Sequence, residues 1–343
     1  MTALCPEDPD RIDEYRLLGR LGEGGMGVVY LARSARGRMV AVKTVRAELA
    51  AGHDFRRRFA KEVAAARQVG GEWTAAVLAA DAEAPRPWVA TAYVAGPTLF
   101  SVVAEQYGPL PEHSVRALGA GLCRALADIH AAGLIHRDLK PGNVMVTIEG
   151  PRVIDFGIVR AIEATAGLTT TGVVIGSPGF MSPEQARGER LAGASDVFSL
   201  GTVLAFAATG RMPFTAPEQK AHALMYRVIN DPPDLTGVPA PLLGPVEACL
   251  AKDPARRPSL EDLLARLESP EAAGPWLPPE VLARLGQDAV ALLAHEDPAT
   301  RPPPQAANPA QILAPPPGAF GPPVPAPPPR PPPAPRLLPL DQP

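Results

Sequence analysis

The chain has 343 residues, of which 46% are hydrophobic, enough for two lobes with sizeable cores and an appendage. Its 33 basic and 36 acidic residues give a net charge of −3, which provides no electrostatic reason to expect a nucleic-acid partner. No window approaches the roughly 18 apolar residues of a membrane span, and the acidic start is unlike a signal peptide. The three cysteines have no metal-ligand or redox spacing, so we predict a cytoplasmic protein.

The predicted fold begins with a β-hairpin over residues 15–33. Apolar and polar residues alternate on both sides of a turn at residues 22–27, which reads GEGGMG. This turn fits the pattern G-x-G-x-x-G, in which the missing Cβ atoms let backbone amides approach phosphates. Strands on both sides favour a flap over a triphosphate, because a dinucleotide-binding fold needs a helix directly after the glycines. An ordinary glycine-rich turn is the alternative.

A third strand and a helix follow the hairpin. The strand at 39–43 ends in Lys43, which either extends its amine to solvent or has an acidic partner. The next helix is predicted over 54–66, with Asp54 as its cap. Glu62 follows Phe59 by three residues on about the same face of this helix and has small apolar neighbours. A further strand is predicted at 88–94.

A second concentration of polar residues lies in the loop at 136–143, which reads HRDLKPGN. A helix over 111–130 precedes this loop, and Asp155 comes after the apolar pair Val153-Ile154 at the end of a later strand. Two carboxylates, one amide and one ammonium thus fall within about twenty residues. Hard oxygen ligands suit magnesium, a carboxylate can accept a hydroxyl proton, and a cation can balance transferred charge.

Helices dominate the remainder of the pattern until proline takes over. They are predicted at 195–209, 217–229, 242–251, 260–268 and 279–295. The helix at 195–209 is almost wholly apolar, as expected for the centre of a core. The last helix could dock on the large lobe or meet a partner helix, and docking on the large lobe is the favoured prediction. Proline is so frequent over residues 301–343 that we predict a disordered tail, either a plain linker or a ligand for an aromatic-lined groove.

Residues 136–143, followed by Asp-Phe-Gly at 155–157, resemble the catalytic loop and magnesium motif of the protein kinase family. The segment GSPGFMSPEQA at 176–186 resembles bacterial serine/threonine kinases of the actinobacterial type. The motifs recur in order and at kinase spacing. The resemblance implies an α+β bilobal fold, with a small, mostly antiparallel β lobe that carries one key helix and a larger helical lobe. The expected domains are an N-terminal extension (1–14), a kinase domain (15–269, its lobes meeting near 93–94), a helical appendage (270–300) and the Pro-rich tail (301–343).

The resemblance also implies catalytic roles. Asp138 orients and deprotonates a substrate serine or threonine, and Lys140 offsets charge on the moving phosphoryl group. Lys43 holds the α and β phosphates of ATP and is itself placed by Glu62. The implied metal ligands, for Mg²⁺ or alternatively Mn²⁺, are Asn143 and Asp155.

An ATP pocket is implied at the hinge between the lobes. Backbone groups of Ala92 and Val94 would bond adenine, Thr91 would border the deep pocket, and apolar side chains would enclose the base. The full set of implied ATP contacts is Leu21, Gly22, Gly24, Gly27, Val29, Ala41, Lys43, Thr91, Ala92, Val94 and Met145.

Regulation is implied in the segment from 158 to 184. Thr169 and Thr171 are the expected autophosphorylation sites, with Arg137 as the cation that pairs with the phosphate. A threonine-rich surface loop without such a role is the alternative. Three structural roles are also implied: Ser177 linking Asp138 and Lys140, Glu184 in a buried ion pair with Arg257, and Asp196 bracing the catalytic loop.

The favoured function is therefore a non-specific serine/threonine protein kinase in bacterial signalling, acting on protein substrates. The alternatives are a kinase-like scaffold that works through the Pro-rich tail and a small-molecule phosphotransferase. Lys140 and the threonine-bearing segment argue against the phosphotransferase. Further expected partners are a second copy of the chain, joined back to back through the small lobes, and a protein that binds the tail.

Overall fold

The computed structural model describes residues 1–25, 27–50, 52–155, 178–216, 221–268 and 275–293. Within them, a smaller lobe is built on one sheet with the strand order β1-β2-β3-β4-β6-β5, and every neighbouring pair is antiparallel. The predicted hairpin and third strand are present. The strands are β1 (Arg11–Ile12), β2 (Tyr15–Gly24), β3 (Gly27–Arg33), β4 (Met39–Thr44), β5 (Val77–Asp81) and β6 (Trp88–Ala92).

Strand alternation gives this sheet two faces with different roles. Tyr30, Val40 and Val42 are buried and pack with Tyr15 and Trp88 in the core of the smaller lobe. Successive side chains of a strand point to opposite faces. The neighbouring half-buried residues, among them Val29, Ala41 and Lys43, therefore lie on the other face of the sheet.

Two helices, α1 (Ala47–Ala50) and α2 (His53–Ala66), cross from β4 to β5. Helix α2 buries Phe55, Phe59 and Val63, which are spaced four residues apart and so form one stripe. The predicted cap is wrong: the N-cap residue is Gly52 and no side chain caps the helix. Asp54 instead lies in the first turn, where its carboxylate favours the helix dipole and pairs with Arg57 at 2.9 Å.

The larger lobe is helical and contains one small hairpin. Its centre is α6, whose residues from Ser195 to Ala208 are all buried, as the apolar pattern predicted. The bounds are α3 (Leu99–Ser101, continued by a π-helical turn at Val102–Gln106), α4 (Glu112–Ala131), β7 (Val144–Val146), β8 (Pro151–Val153), α5 (Pro183–Ala186), α6 (Gly193–Thr209), α7 (Ala221–Asn230), α8 (Ala240–Cys249), α9 (Leu260–Leu267) and α10 (Pro279–Leu293).

Helix α10 docks on the larger lobe, as its apolar spacing predicted. Val281 and Leu285 are buried against the main core. Just before the helix, the indole Nε1 of Trp276 donates to the carbonyl oxygens of Thr147 and Ile148 at 3.0 and 3.2 Å. Among the described helices, none combines the length and apolar character needed to cross a membrane. The predicted tail at 301–343 lies outside the described residues.

Candidate active site

The loop from His136 to Asn143 is held by its backbone. Asp196, at the start of α6, is buried, and its two carboxylate oxygens accept the backbone N–H groups of His136 and Arg137, each at 2.9 Å. Arg137 has φ 65°, an unfavourable value for a non-glycine residue. Its carbonyl accepts a 2.8 Å hydrogen bond from Gln185, a contact that sequence patterns did not reveal. These bonds form the expected brace and stabilise the strained backbone of Arg137.

Two histidines support this loop without being exposed to substrate. His130 Nε2 lies 2.7 Å from the Asp196 carboxylate. His136 is fully buried, and desolvation lowers the pKa of its ring. The neutral ring accepts the Asp138 backbone N–H at its Nδ1, 3.2 Å away. Both histidines therefore make contacts that help to orient the loop.

Asp138 lies between an ammonium and an amide. Lys140 Nζ is 3.0 Å from Asp138 Oδ2. The Asn143 amide nitrogen donates to the Asp138 carbonyl at 2.9 Å and to its Oδ2 at 3.3 Å. The structure thus brings Lys140 and Asn143, both predicted site residues, to the carboxylate of Asp138. Such a carboxylate is oriented to accept a proton from a hydroxyl group, with a cation beside it.

Lys43 reaches across the cleft from β4 to Asp155, 112 residues away. Its Nζ is 2.5 and 2.7 Å from the two carboxylate oxygens of Asp155. Asp155 has φ 57°, a left-handed conformation that turns the chain after β8. The resemblance implied that Glu62 places Lys43; in this structure the Lys43 ammonium is instead bound in bidentate fashion by Asp155.

Glu62 faces a different cation. Its Oε1 is 3.7 Å from Arg137 Nη1, while its Oε2 and the Arg137 Nε are buried without a hydrogen-bond partner. Burial raises the pKa of Glu62 to about 7, and Arg137 only partly opposes this effect. A buried carboxylate with one unsatisfied oxygen is costly, so this loose ion pair is weaker than a fully bonded one.

The predicted adenine pocket is lined by half-buried residues from five strands and from the segment after β6. Ala41 and Thr91 are register partners on β4 and β6, and Met145 on β7 bridges to Thr98 just after the hinge. The Ala92 N–H already donates to the Ala76 carbonyl at 2.8 Å, so any adenine contact by Ala92 uses its carbonyl oxygen. The half-buried pocket residues are Leu21, Val29, Ala41, Thr91, Ala92, Val94 and Met145.

The glycines of the 22–27 turn serve two different purposes. A Cβ atom at Gly22 or Gly24 would meet no protein atom within 4 Å, so packing does not demand glycine there. Gly27 has φ 154°, and its Cβ would lie 1.8 Å from the Thr44 carbonyl oxygen. Gly27 is therefore required by the sheet itself, whereas Gly22 and Gly24 leave space for a ligand to approach the backbone.

Comparison with known proteins identifies the family of this chain. The family model of the protein kinase domain matches residues 15–267. The chain belongs to the protein kinase family. Its kinase domain resembles the crystal structure of the Mycobacterium tuberculosis PknI kinase domain, with a TM-score of 0.59 and 25% identity over 78% of this chain and 100% of that chain.

Its relatives carry names of serine/threonine kinases. The chain is 46% identical over 318 residues to the probable serine/threonine-protein kinase PkwA of Thermomonospora curvata, covering 93% of this chain and 41% of PkwA. It is 50% identical over 285 residues to AfsK of Streptomyces coelicolor, covering 80% of this chain and 35% of AfsK. The chain thus spans well under half the length of these relatives.

The kinase domain also contains the expected ion pair between Glu184 and Arg257. The Arg257 guanidinium donates to both carboxylate oxygens at 2.7 and 2.8 Å, and Ser195 adds a third bond at 2.7 Å. Burial alone would raise the pKa of Glu184, but these hydrogen bonds outweigh it and lower the pKa to about 2. The expected phosphorylation sites Thr169 and Thr171, and the linking residue Ser177, lie outside the described residues.

The donor set of the kinase site suits a divalent cation that is bound together with a nucleotide. Asn143 uses its amide nitrogen for Asp138, and no described donor bonds its side-chain oxygen. That oxygen and the Asp155 carboxylate are hard ligands at one edge of the cleft. No group of three or more His, Cys, Asp or Glu residues within the described ranges could hold a metal alone. Magnesium typically uses one or two protein ligands and completes its shell with phosphates and water.

Replacing Glu62 by Gln is expected to stabilise the kinase above pH 7 and to change little below pH 4.5. Because burial raises the pKa of Glu62 from its usual 4.5 to about 7, the unfolded chain releases a proton in this range that the folded chain keeps. Stability attributable to Glu62 therefore falls as the pH rises through this window. The gain from E62Q is at most on the order of 3 kcal/mol. Urea unfolding of wild type and E62Q from pH 4 to 9 measures this difference in the free energy of unfolding. E48Q, at an exposed position, is the control. A difference that does not vary with pH would contradict the raised pKa of Glu62.

Proposed function

We propose that this chain is a serine/threonine protein kinase that transfers the γ-phosphoryl group of ATP to hydroxyl groups of proteins. The observation that carries the proposal is the assembly of Asp138, Lys140, Asn143, Asp155 and Lys43 around one cleft. Together they meet four chemical requirements of phosphoryl transfer: Asp138 is the base, Lys140 compensates charge, Asn143 and Asp155 are metal ligands, and Lys43 is the phosphate clamp. The names of the relatives, which share about half of the aligned residues, support the serine/threonine class.

The proposed mechanism depends on positioning and electrostatics. Asp138 accepts the proton of the substrate hydroxyl, and its carboxylate is kept in place by Asn143. Lys140, beside it, offsets negative charge on the transferred group. Released from Asp155, Lys43 would bind the phosphates, and Asp155 and Asn143 would be the residues that hold the metal. Magnesium, when bound, supplies charge neutralisation of the phosphates. Kinases of this kind turn over on the order of 1 to 100 times per second.

We propose that phosphorylation of Thr169 or Thr171 activates the kinase by changing the partner of Arg137. Arg137 now faces Glu62 across 3.7 Å, a loose contact that leaves one carboxylate oxygen unsatisfied. A phosphate group is a stronger partner for a guanidinium, because it offers more charge and three acceptor oxygens. Glu62 would then be released to place Lys43, and Lys43 would leave Asp155 free for the metal.

The test is incubation of the full chain with Mg-ATP, followed by mass spectrometric site mapping, with Lys43→Met in parallel. Phosphate on Thr169 or Thr171 is expected in the unmodified chain and not in K43M. K43M loses the phosphate clamp, and the change keeps a side chain of similar length. Equal modification of both proteins would show that a contaminating kinase is responsible. Absence of modification on every protein substrate tried, with ATP still bound, would contradict the proposed activity.

Three further expectations stay predictions. They are back-to-back association of small lobes, a protein partner for the Pro-rich tail at 301–343, and a cytoplasmic location. Residues 301–343 lie outside the described part of the chain.

A further inference from the structure

The N-terminal extension (residues 1–14) folds against the strand that leads into the glycine-rich loop (residues 22–27). Backbone hydrogen bonds join Thr2 and Arg20 in both directions, at 3.0 and 2.9 Å. Strand β1 pairs with the start of β2, and the Leu17 N–H donates to the Asp10 carbonyl at 2.9 Å. The family model begins only at residue 15. Residues before the matched domain therefore form part of its sheet.

Gly19 shows how closely this extension approaches. A Cβ atom at Gly19 would lie 2.8 Å from the Thr2 carbonyl oxygen, closer than a real Cβ contact allows. Gly19 lies before the phosphate motif, and its φ is not in the left-handed region. Glycine is therefore needed at position 19 because the extension packs closely against β2, and not because of the backbone conformation there.

The buried carboxylate of Asp8 links the extension to the sheet through hydrogen bonds. Its side chain is only 3% exposed and accepts two hydrogen bonds from the Arg20 guanidinium, each 2.7 Å. The Tyr30 hydroxyl and the Cys5 backbone N–H donate to the same carboxylate, also at 2.7 Å. Hydrogen bonding to Arg20 holds the pKa of Asp8 well below its usual range. Four donors satisfy this charge, which makes the pair with Arg20 geometrically specific.

Arg20 extends the connection into the glycine-rich loop itself. Its third nitrogen, Nη1, donates to Glu23 Oε2 at 2.9 Å. The other oxygen of Glu23 lies 3.3 Å from Arg46 Nη2, which also donates to the Gly24 carbonyl at 3.2 Å. An unbroken series of polar contacts thus runs from buried Asp8 to the backbone of the loop.

We propose that Asp8 and Arg20 are positioning residues that hold the glycine-rich loop in its nucleotide-binding conformation. The inference rests on the proposed kinase function. A loop rich in glycine loses much conformational freedom when it closes over phosphates, and contacts that order it beforehand reduce that loss. Neither residue touches the phosphate site; both act through Glu23. Because Glu23 and Arg46 are about half exposed, solvent and salt weaken the outer part of the series.

The test compares six full-length proteins: wild type, Asp8→Asn, Arg20→Lys, Glu23→Gln, the double variant D8N/E23Q and the control Glu7→Gln. D8N removes the charge that holds Arg20, and R20K keeps the charge but loses the fork that joins Asp8 to Glu23. E7Q makes the same kind of change one position away on an exposed side chain outside the network. The Kd for Mg-ATP is measured by calorimetry, and KM and kcat by phosphorylation of a generic protein substrate.

A rise of about three- to tenfold in Kd and in KM for ATP is expected for D8N and R20K, with kcat within about twofold of wild type. E7Q should match wild type. Glu23→Gln should raise Kd similarly, and D8N/E23Q should be no weaker than the single variants, since both break one series of contacts. Hydrogen exchange at residues 22–25 should be faster in D8N than in E7Q.

The outcomes separate this inference from the proposed function. If wild type binds ATP and turns over, but D8N and R20K match E7Q in Kd and loop exchange, the positioning role is wrong and the kinase function stands. Additive effects of D8N and E23Q would also overturn it, because they would show independent action. If D8N fails to fold, the same comparison is made with R20K and with E23Q, whose native Glu23 side chain is about half exposed. A wild type that neither binds ATP nor turns over would contradict the proposed function itself.

Discussion

Replacing Asp138 by Asn is expected to reduce kcat by at least about a hundredfold while ATP affinity stays near that of wild type. Asn has the same shape and can keep the contact with Asn143, but it cannot accept the proton of a substrate hydroxyl. Proton transfer by a positioned group typically contributes about 10² to 10⁴ in rate. The Lys140 ammonium, 3.0 Å away, also loses its anionic neighbour. Steady-state kinetics with a protein substrate, together with calorimetric ATP binding, measures both quantities.

A suitable control for D138N is Asp231→Asn, the same chemical change at a half-exposed position. Asp231 makes a 3.9 Å contact with Arg227 on α7, a surface pair of little energetic weight. D231N should retain wild-type kcat. Near-normal turnover of D138N, with its fold verified by thermal unfolding, would remove Asp138 from the role of base. A large loss of ATP affinity in D138N would instead show that the carboxylate supports nucleotide binding.

The largest effect on stability is expected for Glu184→Gln, at about 3–5 kcal/mol at pH 7. The Arg257 side chain is fully buried, so loss of the carboxylate leaves a positive charge in the core without compensation. Because the folded pKa of Glu184 is about 2, below its usual 4.5, the ion pair contributes fully above pH 4.5. That contribution disappears as the pH falls from 4.5 through about 2. The free energy of unfolding in urea, measured across this range, should show the difference between E184Q and wild type shrinking at low pH.

Glu149→Gln provides a matched comparison for E184Q. Glu149 pairs with Arg152 at 2.8 Å, close to the 2.7 Å between Glu184 and Arg257, but its side chain is 79% exposed. We expect E149Q to cost less than about 1 kcal/mol, since exposed ion pairs contribute little. The two variants therefore compare an exposed and a buried ion pair whose charged atoms are separated by nearly the same distance. Equal costs for E149Q and E184Q would contradict the account of Arg257 as an uncompensated buried charge.

Local patterns in the sequence were sufficient for the elements of the domain and for the members of its catalytic loop. Alternation predicted the hairpin and the third strand, and helical spacing predicted α4 and α6 to within about two residues. The brace by Asp196 was expected from the family resemblance, and the structure shows its carboxylate bonded to the backbone of the catalytic loop. The hairpin, the third strand and these two helices depend on residues that are close together in the sequence.

Motifs and periodicity were thus sufficient to predict the family, the order of elements and the polar residues of the catalytic site. The pairing of charged residues became apparent only in the folded chain: Lys43 with Asp155, Glu62 with Arg137 and, outside the catalytic site, Asp8 with Arg20. Each of the first two pairs depends on where α2 lies relative to β4 and the catalytic loop. Periodicity specifies which face of an element is buried but not its distance from other elements. Ion pairing falls off with that distance and with exposure, so it is decided only when the whole chain is packed.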